Sequence, residues 1–219
     1  MSPEQNDLII LAADADIHAT LEGLLSRPLD MGIRNIKYKI INHPNRDSGC
    51  YGKCHEFLRQ FSSQYAHALV IFDFEGCGQE HPSKKKSKEI VEREVEDRLN
   101  ANGWDKRSAV VVLDPELEIW VWSDSRKVET CLGWKGQSMG LKEWLVSDTG
   151  LWIKDAPKPH RPKDAMANAL RKVRKPQSAS IFNDLAKTIP LTGCLDKSFE
   201  KFRQTMQKWF KLDSPDIGL

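Results

Sequence analysis

The sequence lacks the features that would place it in a membrane or in a secretory pathway. No apolar run in its 219 residues approaches the roughly 18 residues that a membrane-spanning helix needs. The first residues, MSPEQNDL, show no basic segment followed by an apolar one, as a secretion signal would. The five cysteines are an odd number, which favours free thiols over a disulfide framework. We therefore expect a cytoplasmic protein that does not engage a membrane.

Two common ligand-binding patterns are also missing. Cys50 and Cys54 lie four residues apart beside His55, with His43 upstream, but no second close Cys/His pair completes a zinc site. No glycine-rich phosphate loop follows the first predicted strand, which disfavours a nucleotide-binding or response-regulator type of domain. The charge is nearly balanced, with 33 Lys and Arg against 31 Asp and Glu, so net charge alone indicates no partner.

The first half of the chain alternates between strand and helix patterns. Apolar or alternating runs predict strands at 7–13, 35–41, 66–74 and 108–113. Helical spacing follows three of them, at 17–25, 53–64 and 87–102, while the turn formers at 42–52 predict a loop. This order predicts an α/β fold of the three-layer, Rossmann-like kind, with a mostly parallel sheet and helices on both faces.

The second half is predominantly helical in pattern. Helices are predicted at 138–146, 162–172, 178–188 and 197–211, and the segment 116–123 fits either helix or strand. We therefore predict an α/β core at 1–124 and a helical C-terminal region at 125–219 that packs on it. Residues 154–175 carry eight Lys or Arg against two Asp, which suits either a polyanion-binding segment or a solvated basic helix.

A pair of acidic residues stands where the third strand ends. In ALVIFDFEGCG, at 68–78, Asp73 and Glu75 are two residues apart, and strand alternation would place both side chains on the same edge. A divalent cation would relieve the repulsion between two such carboxylates. The alternative is that Asp73 caps the following loop and that Glu75 is solvated.

Further acidic residues follow the ends of other predicted strands. Asp14 and Asp16 come after the first strand, where either could be a helix N-cap, and Glu116 and Glu118 come after the fourth, on either side of Leu117. In parallel sheets these ends are where ligands bind. An acidic helix N-terminus is the alternative for Glu118. Asp47 lies in a loop that can reach the same edge, although a purely structural loop is the simpler expectation.

These segments together carry a family resemblance. An apolar strand, an acidic turn, the helix EGLL at 22–25 and a later strand that ends in Asp-X-Glu-Gly at 73–76 resemble the Toprim superfamily, which includes catalytic domains of topoisomerases and primases. The stretches at 115–124, 158–172 and 194–206 are similar to a Toprim-like family of bacterial proteins, and the chain resembles a component of methylation-associated phage-defence systems.

The resemblance implies Mg²⁺- or Mn²⁺-dependent phosphodiester chemistry on nucleic acid. The acidic pair of the family carries over to Asp73 and Glu75, with Glu in place of the second Asp. The family's first-strand Glu falls on Ala12 or Ala13, so that Asp14 is the carboxylate that could replace it. A nuclease of an anti-phage defence system is one expectation, and a catalytically degenerate subunit that binds nucleic acid or partner defence proteins is the other.

The residues implied for this site fall into two sets. The catalytic residues are Asp14, Asp73 and Glu75, and these three together with Asp16 and Glu118 are the metal ligands. The positive charges that would neutralise a nucleic-acid backbone are Lys158, Arg161 and Lys163, or the lysines at 84–86.

Overall fold

The computed structural model describes residues 5–84, 86–122, 125–191, 194 and 196–212. Four strands form one sheet in the order β2-β1-β3-β4, and every pair is parallel. The strands are β1 (Asn6–Ala12), β2 (Tyr38–Asn42), β3 (Tyr65–Asp73) and β4 (Ser108–Leu113). The α/β architecture with a parallel sheet is therefore confirmed, and all four predicted strands are present.

Ten α-helices accompany the sheet in the described part of the chain. They are α1 (Ala15–Leu25), α2 (Pro28–Met31), α3 (Arg46–Arg59), α4 (Lys88–Leu99), α5 (Glu118–Val121), α6 (Arg126–Leu132), α7 (Leu141–Ser147), α8 (Pro162–Lys172), α9 (Ala179–Thr188) and α10 (Lys197–Trp209). A 3-10 turn at Pro82–Lys84 and a π turn at Asn100–Trp104 flank α4. No described helix combines the length and the apolar character that crossing a bilayer requires.

The order of the strands creates a switch point between β1 and β3. The chain leaves β1 through α1 towards β2 on one side, whereas it leaves β3 through α4 towards β4 on the other side. Right-handed crossovers then place α1 on one face of the sheet and α3 and α4 on the other. Ligands of open parallel sheets bind at such a point, outside the carboxyl ends of the strands. The loops that follow β1 and β3 meet there.

The C-terminal helices cover the sheet. Helix α9 packs against α1, and α10 packs against β4. One continuous hydrophobic core includes side chains of the sheet together with those of α8, α9 and α10. The boundary predicted at residue 124 lies outside the described residues, and the division into two parts stays a prediction.

The prediction of a loop over 42–52 is wrong, because α3 begins at Arg46. Its inner face is formed by Cys50, Cys54 and Leu58, which recur every four residues and are completely buried. Cysteine behaves as a small apolar residue in such a position. Gly49 lies at the start of this face because a Cβ there would stand 2.0 Å from Nδ1 of His43. Gly49, a residue type that normally indicates a turn, thus serves close packing at the start of this helix.

Side chains from α4 protect the outer edge of β4. The N–H groups of Val110 and Val112 donate to carboxylate oxygens of Glu96 and Glu92, at 3.0 and 2.9 Å. Lys201 of α10 pairs with both carboxylates at 3.0 Å. An open strand edge is a template for unwanted pairing with another chain, and here each of these two donors already has an acceptor.

We expect Glu92→Ala to lower the free energy of unfolding by about 2 kcal/mol, because it leaves the buried Val112 N–H without an acceptor. Urea unfolding followed by circular dichroism measures this. Asp97→Ala, an exposed position on the same helix, is the matched control and should stay within about 0.5 kcal/mol of the wild type. Equal losses in the two variants would contradict the role of Glu92 at the edge.

Candidate active site

A cleft of about 620 Å³ opens at the carboxyl end of the sheet, beside the switch point between β1 and β3. Carboxylates from five different segments line it, and they belong to Asp14, Asp47, Asp73, Glu75, Glu116 and Asp164. Basic side chains line the same cleft, from the first residue of α3 and from the segment that leads into α8. The cleft therefore combines the chemistry of cation binding with that of anion binding.

Asp73 is the most firmly held of the acidic residues. It is the last residue of β3, its N–H donates to Oδ1 of Asp47 at 2.9 Å, and its own Oδ1 accepts the N–H of Leu117 at 3.0 Å. Burial raises the pKa of this carboxyl well above its ordinary value, and the neighbouring Asp47 and Glu118 carboxylates add to the rise. Asp73 thus stands fixed among like charges.

Asp14 joins the cleft from the start of α1. Its Oδ1 caps this helix by accepting the N–H groups of Asp16 and Ile17, at 3.0 and 2.9 Å. The N-cap predicted at 14 or 16 is therefore Asp14. Because Oδ1 accepts both capping hydrogen bonds, Oδ2 is the atom through which Asp14 can act in the cleft.

Glu75 and Glu116 form a second acidic pair at the rim. Strand β3 ends at Asp73, so Glu75 lies in the turn that follows, and strand alternation does not position its side chain. The N–H of Glu75 donates to the carbonyl of Pro115 at 3.1 Å. Its side chain is exposed, yet desolvation and the Glu116 carboxylate raise its pKa. Glu116 is buried, and its Oε1 lies 2.5 Å from Nζ of Lys163.

Three of the residues predicted for the site do not line the cleft. Asp16 is hydrogen-bonded to Gln177, next to the start of α9. Glu118 is buried as the first residue of α5, close enough to raise the pKa of Asp73 without facing the open cleft. The ammonium of Lys158 donates to the carbonyl of Ile119, so that it is bound within the protein.

Of the lysines at 84–86, Lys84 and Lys86 do not line the cleft either. Nζ of Lys84 donates to the carbonyl of Gly78, and Lys86 pairs with Glu94 at 2.7 Å. Lys85 lies outside the described residues.

Arg161 and Lys163 are the predicted basic residues that do line the cleft. The Arg161 side chain is two-thirds exposed, and its guanidinium lies 2.5 Å from Asp164. Arg46, which was not predicted, has a positive φ of 48° at the first turn of α3. Backbone strain of this kind in a non-glycine residue is concentrated at functional sites. His160 completes this side of the cleft.

Asp47 and Glu116 line the cleft, although the set of site residues predicted from the sequence does not include them. Asp47 was assigned to a loop because of the neighbouring glycines, although Cys50, Cys54 and Leu58 mark a helix that begins just before it. Glu116 precedes a short helix and Glu118 begins it, so that only the first of these two acids reaches the cleft. No sequence signal distinguishes the two, because both flank Leu117 symmetrically.

Most of the possible metal-donor atoms of the cleft are carboxylate oxygens, which Mg²⁺ and Mn²⁺ prefer, and His160 adds an imidazole. Among the described residues, no group of three or more His, Cys, Asp or Glu side chains converges closely enough to hold a metal ion. Magnesium usually keeps several waters and binds one or two carboxylates together with substrate phosphates. The donor set therefore fits such an ion in its chemistry.

We expect the acidic interior of the site to make folding stability depend on pH. Burial raises the pKa of Glu118 from 4.5 to about 7. The folded chain therefore binds more protons than the unfolded chain between these values, and stability falls as the pH rises through that window. This group accounts for a loss of about 3 kcal/mol. Glu118→Gln, which stays neutral, should flatten the profile in urea unfolding from about pH 5 to about pH 8. Equal slopes would contradict this assignment.

Comparisons with known proteins found no protein similar to this chain. No family model, no curated protein and no solved structure matches the chain. What the structure describes is an α/β chain with a four-stranded parallel sheet. Its charged cleft lies at the carboxyl ends of the strands.

Proposed function

We propose that the chain is a Toprim-type nuclease that hydrolyses phosphodiester bonds in nucleic acid with Mg²⁺ or Mn²⁺. The observation that carries this proposal is the presence of Asp14, Asp73 and Glu75 in one cleft with Arg161 and Lys163. Carboxylates suit the cation, and the guanidinium and ammonium groups suit the phosphates of the substrate.

The residues of the cleft would have different roles in this reaction. One or two of the carboxylates of Asp14, Asp73 and Glu75 would hold the cation together with waters and the substrate phosphate, and Glu116 is a further carboxylate within the cleft. A bound divalent ion supplies polarisation of a phosphoryl oxygen and a nucleophilic water. Of these three residues Glu75 is the exposed one, which leaves its carboxylate open to solvent water at the rim of the cleft. Arg161 and Lys163 would neutralise the charge of the backbone.

One observation favours a second candidate, a subunit that binds nucleic acid without cleaving it. Ala12 and Ala13 stand where the resemblance expects a first-strand Glu, and the substitute Asp14 uses one carboxylate oxygen to cap α1. A role in anti-phage defence, together with partner proteins of such a system, is part of the proposal and rests on the resemblance of the sequence alone.

The nuclease proposal predicts that Asp73→Asn and Glu75→Gln each lower metal-dependent cleavage by about 10²-fold or more. Both changes remove the charge and keep the shape, and the amide oxygen introduced by Asp73→Asn can still accept the N–H of Leu117. Cleavage of plasmid DNA, single-stranded DNA and RNA is measured with Mg²⁺ and with Mn²⁺. Asp97→Asn, exposed on α4, is the matched control. Binding without cleavage by the wild type would favour the second candidate.

The basic side of the cleft predicts a difference between two positive residues. Arg161→Gln should weaken nucleic-acid binding and reduce the slope of log K against log salt concentration by about one, because one phosphate contact is lost. Lys158→Gln should leave this slope unchanged, since its ammonium is bound to the Ile119 carbonyl. Fluorescence anisotropy with labelled DNA and RNA over a range of salt concentrations measures both slopes. The reverse result would place the phosphate contact at Lys158.

A further inference from the structure

We infer that Lys163 is a built-in counter-cation of the cleft, whose ammonium holds Glu116 while no divalent ion is bound and leaves it when one binds. This inference rests on the proposed metal-dependent function and assigns to Lys163 a positioning role within it. The side chain would stabilise the empty site first and become available to the substrate phosphate afterwards.

The ion pair is the first observation behind this inference. Nζ of Lys163 lies 2.5 Å from Oε1 of Glu116, whose side chain is 9% exposed, whereas that of Lys163 is 56% exposed. Burial disfavours the ammonium, yet the carboxylates of Glu116, Glu118 and Asp73 raise the pKa of Lys163. The single positive charge thus acts on several carboxylates and is not confined to one partner.

The second observation is that the backbone beside Lys163 is held in place, whereas its side chain is more than half exposed to solvent. Pro162 is buried, and its carbonyl accepts the indole N–H of Trp122 at 2.8 Å. Arg161 and Asp164 are paired on either side of this position. The ammonium can therefore move on its flexible four-carbon stem without any change in α8.

A divalent ion and an ammonium cannot both be close to the Glu116 carboxylate without repelling each other. Two positive charges about 4 Å apart interact by several kcal/mol at the effective dielectric constant of a protein surface. Metal binding therefore has to displace the ammonium from Glu116, and the apparent metal affinity of the wild type includes the cost of that displacement. The released lysine remains in the cleft that would hold the phosphate.

Metal titration by isothermal calorimetry, without nucleic acid, tests the inference on the full chain. Lys163→Met keeps the length of the side chain and removes the charge, so that the dissociation constant for Mn²⁺ should fall about tenfold. Lys163→Arg keeps the charge and should remain close to the wild type. Arg161→Met is the matched control, because it removes an equal charge that is paired with Asp164 in the same cleft. Circular dichroism verifies that each variant is folded.

The outcomes separate this inference from the proposed function. Tighter Mn²⁺ binding in Lys163→Met alone supports the counter-cation role, even if no variant cleaves nucleic acid and the nuclease proposal fails. Unchanged or weaker binding in Lys163→Met overturns the role, even if the wild type binds metal and cleaves. Equal tightening in Arg161→Met would also overturn it, since net charge would then explain the effect. Absence of metal binding in every variant overturns both.

Discussion

The buried carboxylate of Asp73 is the group on which the arrangement of the cleft depends. Its backbone N–H is bound by Asp47 of α3, and its Oδ1 accepts the N–H of Leu117, which lies between β4 and α5. One residue at the end of β3 therefore joins two further segments of the chain at the switch point. A buried polar group left without such partners costs more than the hydrogen bond itself contributes. The position of Asp73 and the conformation of its neighbours are thus specified together.

This arrangement concentrates negative charge, and the chain offsets it in two ways. Burial raises the pKa of Asp73, Asp47 and Glu118, which disfavours their charged forms. Lys163 supplies a positive charge where Glu116 is buried. Neither contribution is needed for the hydrophobic core, which is continuous beneath the cleft without them. A cluster of acids whose pKa values are raised beside a cleft is a pattern that functional sites commonly show, and structural networks show it as well.

The sequence predicts the framework of this protein better than it predicts the site. Continuous apolar runs identify β1, β3 and β4, because a parallel strand buried on both faces has no polar side to show. The prediction fails at α3, where Gly49, a residue type that normally indicates a turn, allows close packing against His43. The sequence also does not distinguish Glu116 from Glu118, or Lys158 from Lys163. Whether each of these side chains faces the cleft depends on helices that are distant in sequence. Local pattern thus predicts the elements, and tertiary packing selects which of their charges face the cleft.

Strand β1 ends in Ala12 and is followed by Ala13, so that the first carboxylate after this strand is that of Asp14. A carboxylate directly at the end of β1 would approach the switch point from the strand, whereas Asp14 approaches it from the first turn of α1. Two backbone hydrogen bonds fix Oδ1 of Asp14 as the helix cap. Because the side chain is already held in this way, Oδ2 is also oriented, and binding a ligand costs less side-chain entropy. Asp47, on the neighbouring helix α3, adds a carboxylate that the family pattern does not include. The cleft therefore carries carboxylates from the starts of two helices, although no glutamate stands at the end of β1.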